Sequence, residues 1–217
     1  MSDCNLAGKT TVGRPKSLAK KNQIILAASQ LFLRDGYTKT SLDAVSQLAK
    51  VSKQTVYSHF DNKDALLKAV IELKVIQYQL DHTVTSIESD HIPSCLTSLG
   101  EQFMALLCDS DVIAMYKLII SESDTNPTIA ALFYEAGPRA VIDSLTEYLT
   151  TVSHQKIAPA RANELAVMFF NSLKGEHYMQ RLMGLPVSMN NSPKAFVKNA
   201  VNDFLIILES TEGLKIS

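Results

Sequence analysis

The sequence predicts an all-α fold: an N-terminal three-helix unit with helix-turn-helix spacing, joined by a linking helix to a larger helical body. Three observations carry that expectation. Apolar residues recur at three- and four-residue intervals from Leu18 nearly to the C-terminus. Period-two alternation is missing, and the only Asn-Gly or Asp-Gly pair, Asp35-Gly36, sits where a helix would end. Pro93, Pro127, Pro138, Pro159, Pro186 and Pro193 then divide the remainder into segments of roughly 10–25 residues, lengths that suit helices better than strands. The 217 residues suffice for one large domain or two small ones, and no internal repeat is present.

Residues 1–17 carry Gly8, Gly13, Pro15 and several Ser and Thr without a hydrophobic period, which predicts a flexible basic arm. Residues 18–78 form the expected N-terminal unit. Ile24, Ala27, Ala28 and Leu31 mark one face of a first helix, and Gly36 is placed to cap its end in the left-handed conformation. Thr40, with Asp43 three residues on, resembles a capping box, and Leu42, Val45 and Leu48/Ala49 give the second helix its apolar side. After a tight turn, Ser52 can cap a third helix that turns Val56 and Phe60 inward. Asp61 with Asp64 opens a fourth, with Leu66, Leu67, Val70, Leu73 and Ile76 inside. Two short helices separated by so tight a turn describe a helix-turn-helix. Residues 79–217 are expected to form the helical body.

Charge divides the chain in the same place. Residues 1–70 hold 11 Lys+Arg against 5 Asp+Glu, a net +6, whereas residues 71–217 carry a net −7, hidden in an overall charge of −1. A basic front on an acidic body is expected where one end meets a polyanion and the rest does something else. The 46% apolar content excludes collagenous, low-complexity or wholly disordered chains. The longest apolar run, Leu165–Phe170, is far short of the ~20 residues that cross a bilayer, and no membrane partner is expected. Cys4, Cys95 and Cys108 are odd in number and widely spaced, suiting neither a disulfide framework nor a zinc motif. A reducing cytoplasm is the expected compartment.

On the third helix, Lys53, Gln54, Thr55, Tyr57, Ser58 and His59 remain off the buried side. These are side chains of the kind that meet base edges and phosphates. Thr40, Ser41, Ser52 and Lys63 stand at helix starts, where backbone N–H groups and a cation can meet phosphate oxygens. Arg14 and Lys16 on the arm could reach the minor groove or the backbone. An ordinary solvated face would show the same periodicity.

The stretch Ile25–Val70 makes the pattern specific. Ala28 and Phe32, Gly36-Tyr37, Thr40-Ser41, Val51-Ser52-Lys53, Val56-Tyr57-Ser58-His59-Phe60, and Lys63 with Ala65-Leu66 resemble the DNA-binding domain of the tetracycline-repressor (TetR/AcrR) family of bacterial transcriptional regulators. The arm's Gly13-Arg14-Pro15-Lys16 resembles that family's basic lead-in. The resemblance implies a major-groove helix from Ser52 or Lys53, with Lys53, Gln54, Thr55, Tyr57 and His59 facing DNA and Thr40 and Lys63 anchoring phosphates. Lys50 departs from it, standing at a turn position where the family usually has Gly. If φ is positive there, Lys50 costs roughly 1 kcal/mol or more in strain.

In the body, Phe103, Leu107, Met115, Tyr116, Phe133, Tyr134 and Met168 recur at helical spacing, with Asn171, His177 and Tyr178 as nearby polar groups. They suit core packing or the lining of an apolar pocket, and spacing does not choose between the two. Met115–Pro138 and Phe169–Pro186 resemble the AcrR/AefR-like C-terminal domain, which implies an all-helical body enclosing a ligand cavity and dimerising through its last two long helices. Between Lys194 and Leu208 the apolar arc is wider than one contact surface requires, leaving Lys198, Asn199, Asn202 and Asp203 as a narrow polar strip. Met179, Phe196, Ala200, Phe204 and Leu208 are accordingly candidates for a homodimer interface, which would set two recognition helices on a near-palindromic double-stranded operator.

The expected function is a dimeric DNA-binding regulator, a repressor released by a small apolar or amphipathic effector. A regulator or architectural DNA-binding protein without an effector is the alternative. An enzyme is disfavoured and no cofactor or metal is expected. HExxH, CxxC, phosphate-loop and dinucleotide patterns are absent, and His91 with Cys95 at i, i+4 suits loop and core.

Overall fold

The computed structural model describes residues 14–80, 92–154, 156–187 and 192–213, with the backbone alone at 14–17 and 211. In chain order the elements are α1 (Arg14–Asp35), α2 (Leu42–Leu48), α3 (Lys53–His59), α4 (Lys63–Gln77), α5 (Ile92–Cys108), α6 (Ser110–Glu122) and α7 (Pro127–Tyr134). A π-helical turn (Glu135–Arg139), α8 (Ala140–Val152), α9 (Pro159–Met183) and α10 (Pro193–Glu212) follow. The described residues contain no strand.

The first helix begins earlier than its hydrophobic period suggests. Arg14–Ser17, assigned to the arm from sequence, already have helical backbone in α1. Pro15 fixes φ near the helical value and lacks only a donor that a first turn leaves unused. Residues 1–13 of the arm lie outside the described residues. At the other end the Gly36 N–H reaches back to the Phe32 carbonyl at 3.0 Å, with Gly36 at φ 88°.

Short polar side chains set the next starts, in two cases one residue later than expected. Ser41, not Thr40, caps α2 by accepting from the Ala44 N–H, and Asn62, not Asp61, caps α4 through the Ala65 N–H. Ser52 caps α3 through the Thr55 N–H as expected. Each such cap satisfies an otherwise orphaned donor and is worth about 1 kcal/mol. The α2–α3 turn holds Lys50 at φ 52°, so this non-glycine residue carries left-handed strain.

Two apolar clusters organise the molecule. The first joins α1–α4, with Ile24, Ala28, Phe32, Val45, Val56, Leu66 and Leu67 inaccessible to solvent at its centre. It continues into Met115 and Ile119 of α6, Ile129 and Phe133 of α7, and Ala136 of the π turn. The N-terminal unit is therefore not a separate bead. The second cluster fills the body between α5, α8, α9 and α10, around Leu96, Leu99, Leu107, Leu145, Leu149 and Phe169. Val75 and Leu80, at and after the end of α4, belong to it. α4 thus contributes to both cores.

Two irregularities interrupt the body. Pro138, expected to separate helices, instead lies inside the π turn that carries α7 into α8 without a break. Gly137 packs so closely on Ile71 of α4 that a Cβ there would stand 3.1 Å from Ile71 Cγ2. In α9, Gly175 adopts φ 52°, ψ −171°, which splits the helix into two lengths. Only glycine takes up that backbone without strain.

Candidate nucleic-acid interface and effector cleft

α3 is seven residues long, and Val56 alone is buried on it. Packing that side against the α1–α4 core turns the others outward: Lys53, Gln54, Tyr57 and Ser58 are exposed, Thr55 and His59 half-buried. Tyr57 is 53% exposed, a large aromatic left unburied beside hydrogen-bonding side chains. Several neighbours are already engaged. Thr55 Oγ1 lies 2.8 Å from Ser52 Oγ, Ser58 donates to the Thr55 carbonyl at 2.8 Å, and the Lys53 ammonium pairs with Asp43 of α2. That carboxylate raises the Lys53 pKa. These contacts leave Gln54 and Tyr57 exposed on α3, with side chains of the kind that can meet base edges.

In the corner after α1, two of the expected phosphate anchors turn inward. Thr40 is buried, and its hydroxyl donates to the Gly36 carbonyl at 2.7 Å, closing the turn instead of facing outward. Lys63 folds back inside: its ammonium donates to the carbonyls of Tyr37 at 2.7 Å and Thr38 at 3.2 Å and stands 4.3 Å from the centre of the Tyr37 ring. Partial burial lowers the Lys63 pKa, with Glu122 and Asp64 opposing. The Tyr37 hydroxyl donates to Asp64, and burial, then that carboxylate, holds the phenol well above its ordinary pKa. Ser41 remains exposed at the start of α2, and Lys39 and Lys50 are exposed nearby. Arg14 and Lys16 lie in the first turn of α1, and their side chains are outside the described part.

A residue that sequence does not single out locks this corner to the body. Glu122, at the end of α6, accepts from the Tyr37 N–H at 2.9 Å, the Thr38 N–H at 3.1 Å and the Thr38 hydroxyl at 2.7 Å. The carbonyls of 37 and 38 are taken by Lys63 and their N–H groups by Glu122, so both edges of the loop are satisfied. The contact spans 85 residues of sequence, beyond any local pattern.

Below the corner, a cleft of about 70 Å³ opens between α4, α5, α6, the π turn, α8 and α9. Of the pocket candidates, Phe103, Met115, Tyr116 and Phe133 line it, together with Val70, Ile71, Lys74 and Val75 of α4 and with Phe170 and Lys174 of α9. Its walls are apolar and carry two aromatic pairs: Phe103 meets Phe170 with ring centres 4.7 Å apart, and Tyr116 meets Phe133 edge-on at 4.6 Å. The volume suits a few waters or a small apolar group, well under the roughly 300–1,000 Å³ of ordinary ligand pockets. Lys74 crosses to Asp109 at 2.8 Å and Asp111 at 3.3 Å; the two carboxylates outweigh burial and raise its pKa. Tyr78 also donates to Asp109 at 2.8 Å, and burial with that carboxylate pushes the phenol to about 12.

The other pocket candidates lie elsewhere. Leu107 is fully buried in the body core, and Tyr134 and Asn171 point to solvent. Met168 lines a groove on the outer surface. His177 is buried beneath α10, its ring edge-on to Phe196 at 5.1 Å, and burial followed by Arg181 lowers its pKa. These side chains share the helical spacing of the lining residues but sit on other faces of their helices.

The interface candidates divide in the same way. Phe204 and Leu208 are buried with Val197 and Val201, so they hold α10 to its own body. Phe196 and Ala200 are half-buried and, with Met168 and Ile207, line the outer groove between α9 and α10, whose floor is Phe204. Met179 is 51% exposed, and Met183, Leu185 and Ile206 are exposed as well. Cys95 is buried, and His91, its i−4 neighbour, lies outside the described residues. Among the described residues no group of three His, Cys, Asp or Glu could hold a metal, and no helix is long and apolar enough to cross a membrane.

This arrangement has relatives. Residues 24–70 match the model of the bacterial regulatory proteins of the tetR family, and residues 94–207 match the C-terminal domain of AefR-like transcriptional repressors. Among curated proteins, the DNA-binding transcriptional repressor TetR of Mycobacteroides abscessus is 41% identical over 49 residues, 23% of this chain and 26% of its own. The regulator TtgR of Pseudomonas putida is 33% identical over 81 residues, 36% of this chain and 38% of its own. The match thus spans only about a quarter to two fifths of those relatives. Solved structures extend the likeness to the whole fold. The flavonoid-responsive regulator FrrA superposes with a TM-score of 0.67 at 29% identity, over 86% of this chain and 95% of its own. A TetR transcriptional regulator of Agrobacterium tumefaciens shares the fold at a TM-score of 0.67 and 19% identity, over 87% and 93%. With the C-terminal model alone spanning more than half of the sequence, this chain belongs to the tetR family of DNA-binding transcriptional regulators and is not an enzyme.

Proposed function

We propose that this regulator is a homodimeric repressor that grips a near-palindromic operator and is released when a small apolar or amphipathic effector enters the cleft. The observation that carries the reading is the position of α4. Leu66 and Leu67 belong to the same core as Val56 of the recognition helix, while Val70, Ile71, Lys74 and Val75 of the same helix as the two leucines wall the cleft. A ligand larger than the present space must push those walls apart, and any displacement of α4 carries the base of α3 with it. Interiors are too densely packed for the strain to be absorbed locally. The energetic demand is modest: a coupling of about 1–3 kcal/mol changes operator affinity roughly 5- to 150-fold. The ligand must prefer the displaced state, since equal affinity for both would shift nothing.

The apolar α9–α10 surface around Met179, Phe196, Ala200 and Ile207 supports dimerisation, because a second copy would cover side chains that one body leaves in water. Gln54 and Tyr57 are the proposed base readers. Lys53, Ser41, Lys39 and Lys50 are the proposed phosphate contacts, with Thr40 and Lys63 shaping the corner that presents them. The tightness of the cleft favours one second reading, a DNA-binding regulator with no effector.

Titration of DNA from upstream of the protein's own gene tests the first part. Specific, salt-sensitive binding that Lys53→Ala or Tyr57→Phe weakens is expected, and equal affinity for random DNA overturns operator recognition. Thermal melting across a metabolite panel tests the second. A ligand at 100 times its dissociation constant adds about 2.7 kcal/mol, and no response to any compound favours the effector-free reading.

A further inference from the structure

Within that reading, the chemistry of the cleft narrows the class of effector. The two lysines on its walls are in opposite situations. Lys74 is neutralised by Asp109 and Asp111, and Asp111, the one carboxylate among the lining residues, is thereby occupied. Lys174 has no such partner. Among the described residues its ammonium reaches only the side-chain carbonyl oxygen of Asn171, at 3.3 Å, and makes no ion pair. It lines the cleft one turn after Phe170 and directly before the Gly175 break, and its ammonium lies beside the exposed Asn171, which puts the charge at the rim. Burial lowers its pKa, as expected for a cation partly stripped of water without a compensating charge.

The rest of the lining is uncharged apart from the Lys74–Asp111 pair. Tyr178, one helical turn beyond Lys174, stands edge-on to the lining residue Tyr116 with ring centres 5.7 Å apart, and the hydroxyls of the two tyrosines face each other behind the wall. The cleft therefore combines a cation without an ion pair with an apolar interior that carries four aromatic rings.

We propose that the effector is a small aromatic monocarboxylate whose anionic head seats on Lys174 at the rim and whose ring enters between Phe103, Tyr116, Phe133 and Phe170. The four rings on the walls favour a flat apolar body, since ring pairs gain from offset and edge-on contacts. The head group selects charge: a carboxylate on the ammonium makes a charge-assisted bond that a neutral amide does not. Because the cation sits at the rim, the ligand is oriented with its charge outward and its ring against α4.

Matched probes separate this claim from the effector reading it rests on. Benzoate, cinnamate and 2-naphthoate would be titrated calorimetrically against their primary amides, with wild type, Lys174→Met and Lys174→Arg. The expected result is that at least one carboxylate binds wild type and Lys174→Arg about tenfold or more tighter than its amide. In Lys174→Met that preference falls to near unity while the melting temperature is kept. Equal binding of acid and amide to wild type, or a preference unchanged in Lys174→Met, overturns the anion assignment while leaving an apolar effector in place. No binding by any of the three acids overturns the assignment as well, and the metabolite panel then decides independently whether an effector exists.

Discussion

The N-terminal unit and the body are built from the same kind of element but finished differently. In the unit, each of α2, α3 and α4 starts on a Ser or Asn side chain that caps it, and the loop at 36–38 has its carbonyls and N–H groups taken up by Lys63 and Glu122. In the body, Asp109 and Ser192 cap α6 and α10, but α7 and α9 start without a side-chain cap, α8 follows a π turn, and Gly175 splits α9. Among the described residues, buried side-chain atoms of His177, Gln180 and Arg181 find no partner. One region is closed around its own hydrogen bonds, and the other carries irregular backbone beside the cleft, at the π turn and at Gly175. A reader that must present fixed side chains to DNA needs the first finish. A body that must change shape when a ligand enters benefits from the second.

Substitutions on either side of this contrast should separate the regions, and the largest effect belongs to the unit. Val56→Asp would bury an unpaired carboxylate under α3, at a cost of about 3 kcal/mol or more, and should abolish specific DNA binding in a shift titration. Next is Gly175→Ala. The new Cβ would meet the His177 ring at 3.1 Å and Phe196 at 3.3 Å in a backbone only glycine favours. A loss of about 1–3 kcal/mol in urea unfolding is expected, with operator affinity little changed because the unit is untouched. Ser52→Ala should cost about 1 kcal/mol by leaving the Thr55 N–H uncapped. Lys50→Gly should run the other way, stabilising the unit by up to about 1 kcal/mol in thermal melts through relief of the φ 52° strain, provided the greater freedom of glycine in the unfolded chain does not cancel it.

Acid sharpens the comparison at the cleft. Burial raises the Asp109 pKa, but Lys74, Tyr78 and the Asp111 N–H together outweigh it, so the carboxyl lies below its ordinary value. A depressed carboxyl stabilises the fold above its unfolded pKa of about 3.9, and that contribution is lost as pH falls through the folded value. Urea midpoints measured from pH 6 down to pH 3 should therefore fall less steeply in Asp109→Asn than in wild type.

Local signals made the unit legible from sequence. Ser52, Val56 and Phe60 at fixed spacing place α3, and Gly36 ends α1, because caps and short apolar faces involve residues a few positions apart. The one-residue shifts to Ser41 and Asn62 arise where two adjacent polar residues compete for one cap. Thr40 and Lys63 read as outward anchors because spacing shows that a polar residue lies at a helix start, not which way it turns. The Tyr37 ring and carbonyls that draw Lys63 inward are 26 residues away. In the body, Leu107 and His177 share the period of Phe103 and Tyr116. Which of them meets the cleft depends on how α5, α6 and α9 rotate against each other, and that is fixed by long-range packing.

Selection of binding sites from a random double-stranded DNA library, repeated with wild type, Gln54→Ala and Tyr57→Ala, tests the assignment of α3 as the reader most directly. Wild type should enrich two inverted half-sites separated by about one helical turn, and each variant should relax preference at particular positions within both half-sites. Absence of an enriched motif, or the same motif at the same strength from all three proteins, would contradict it.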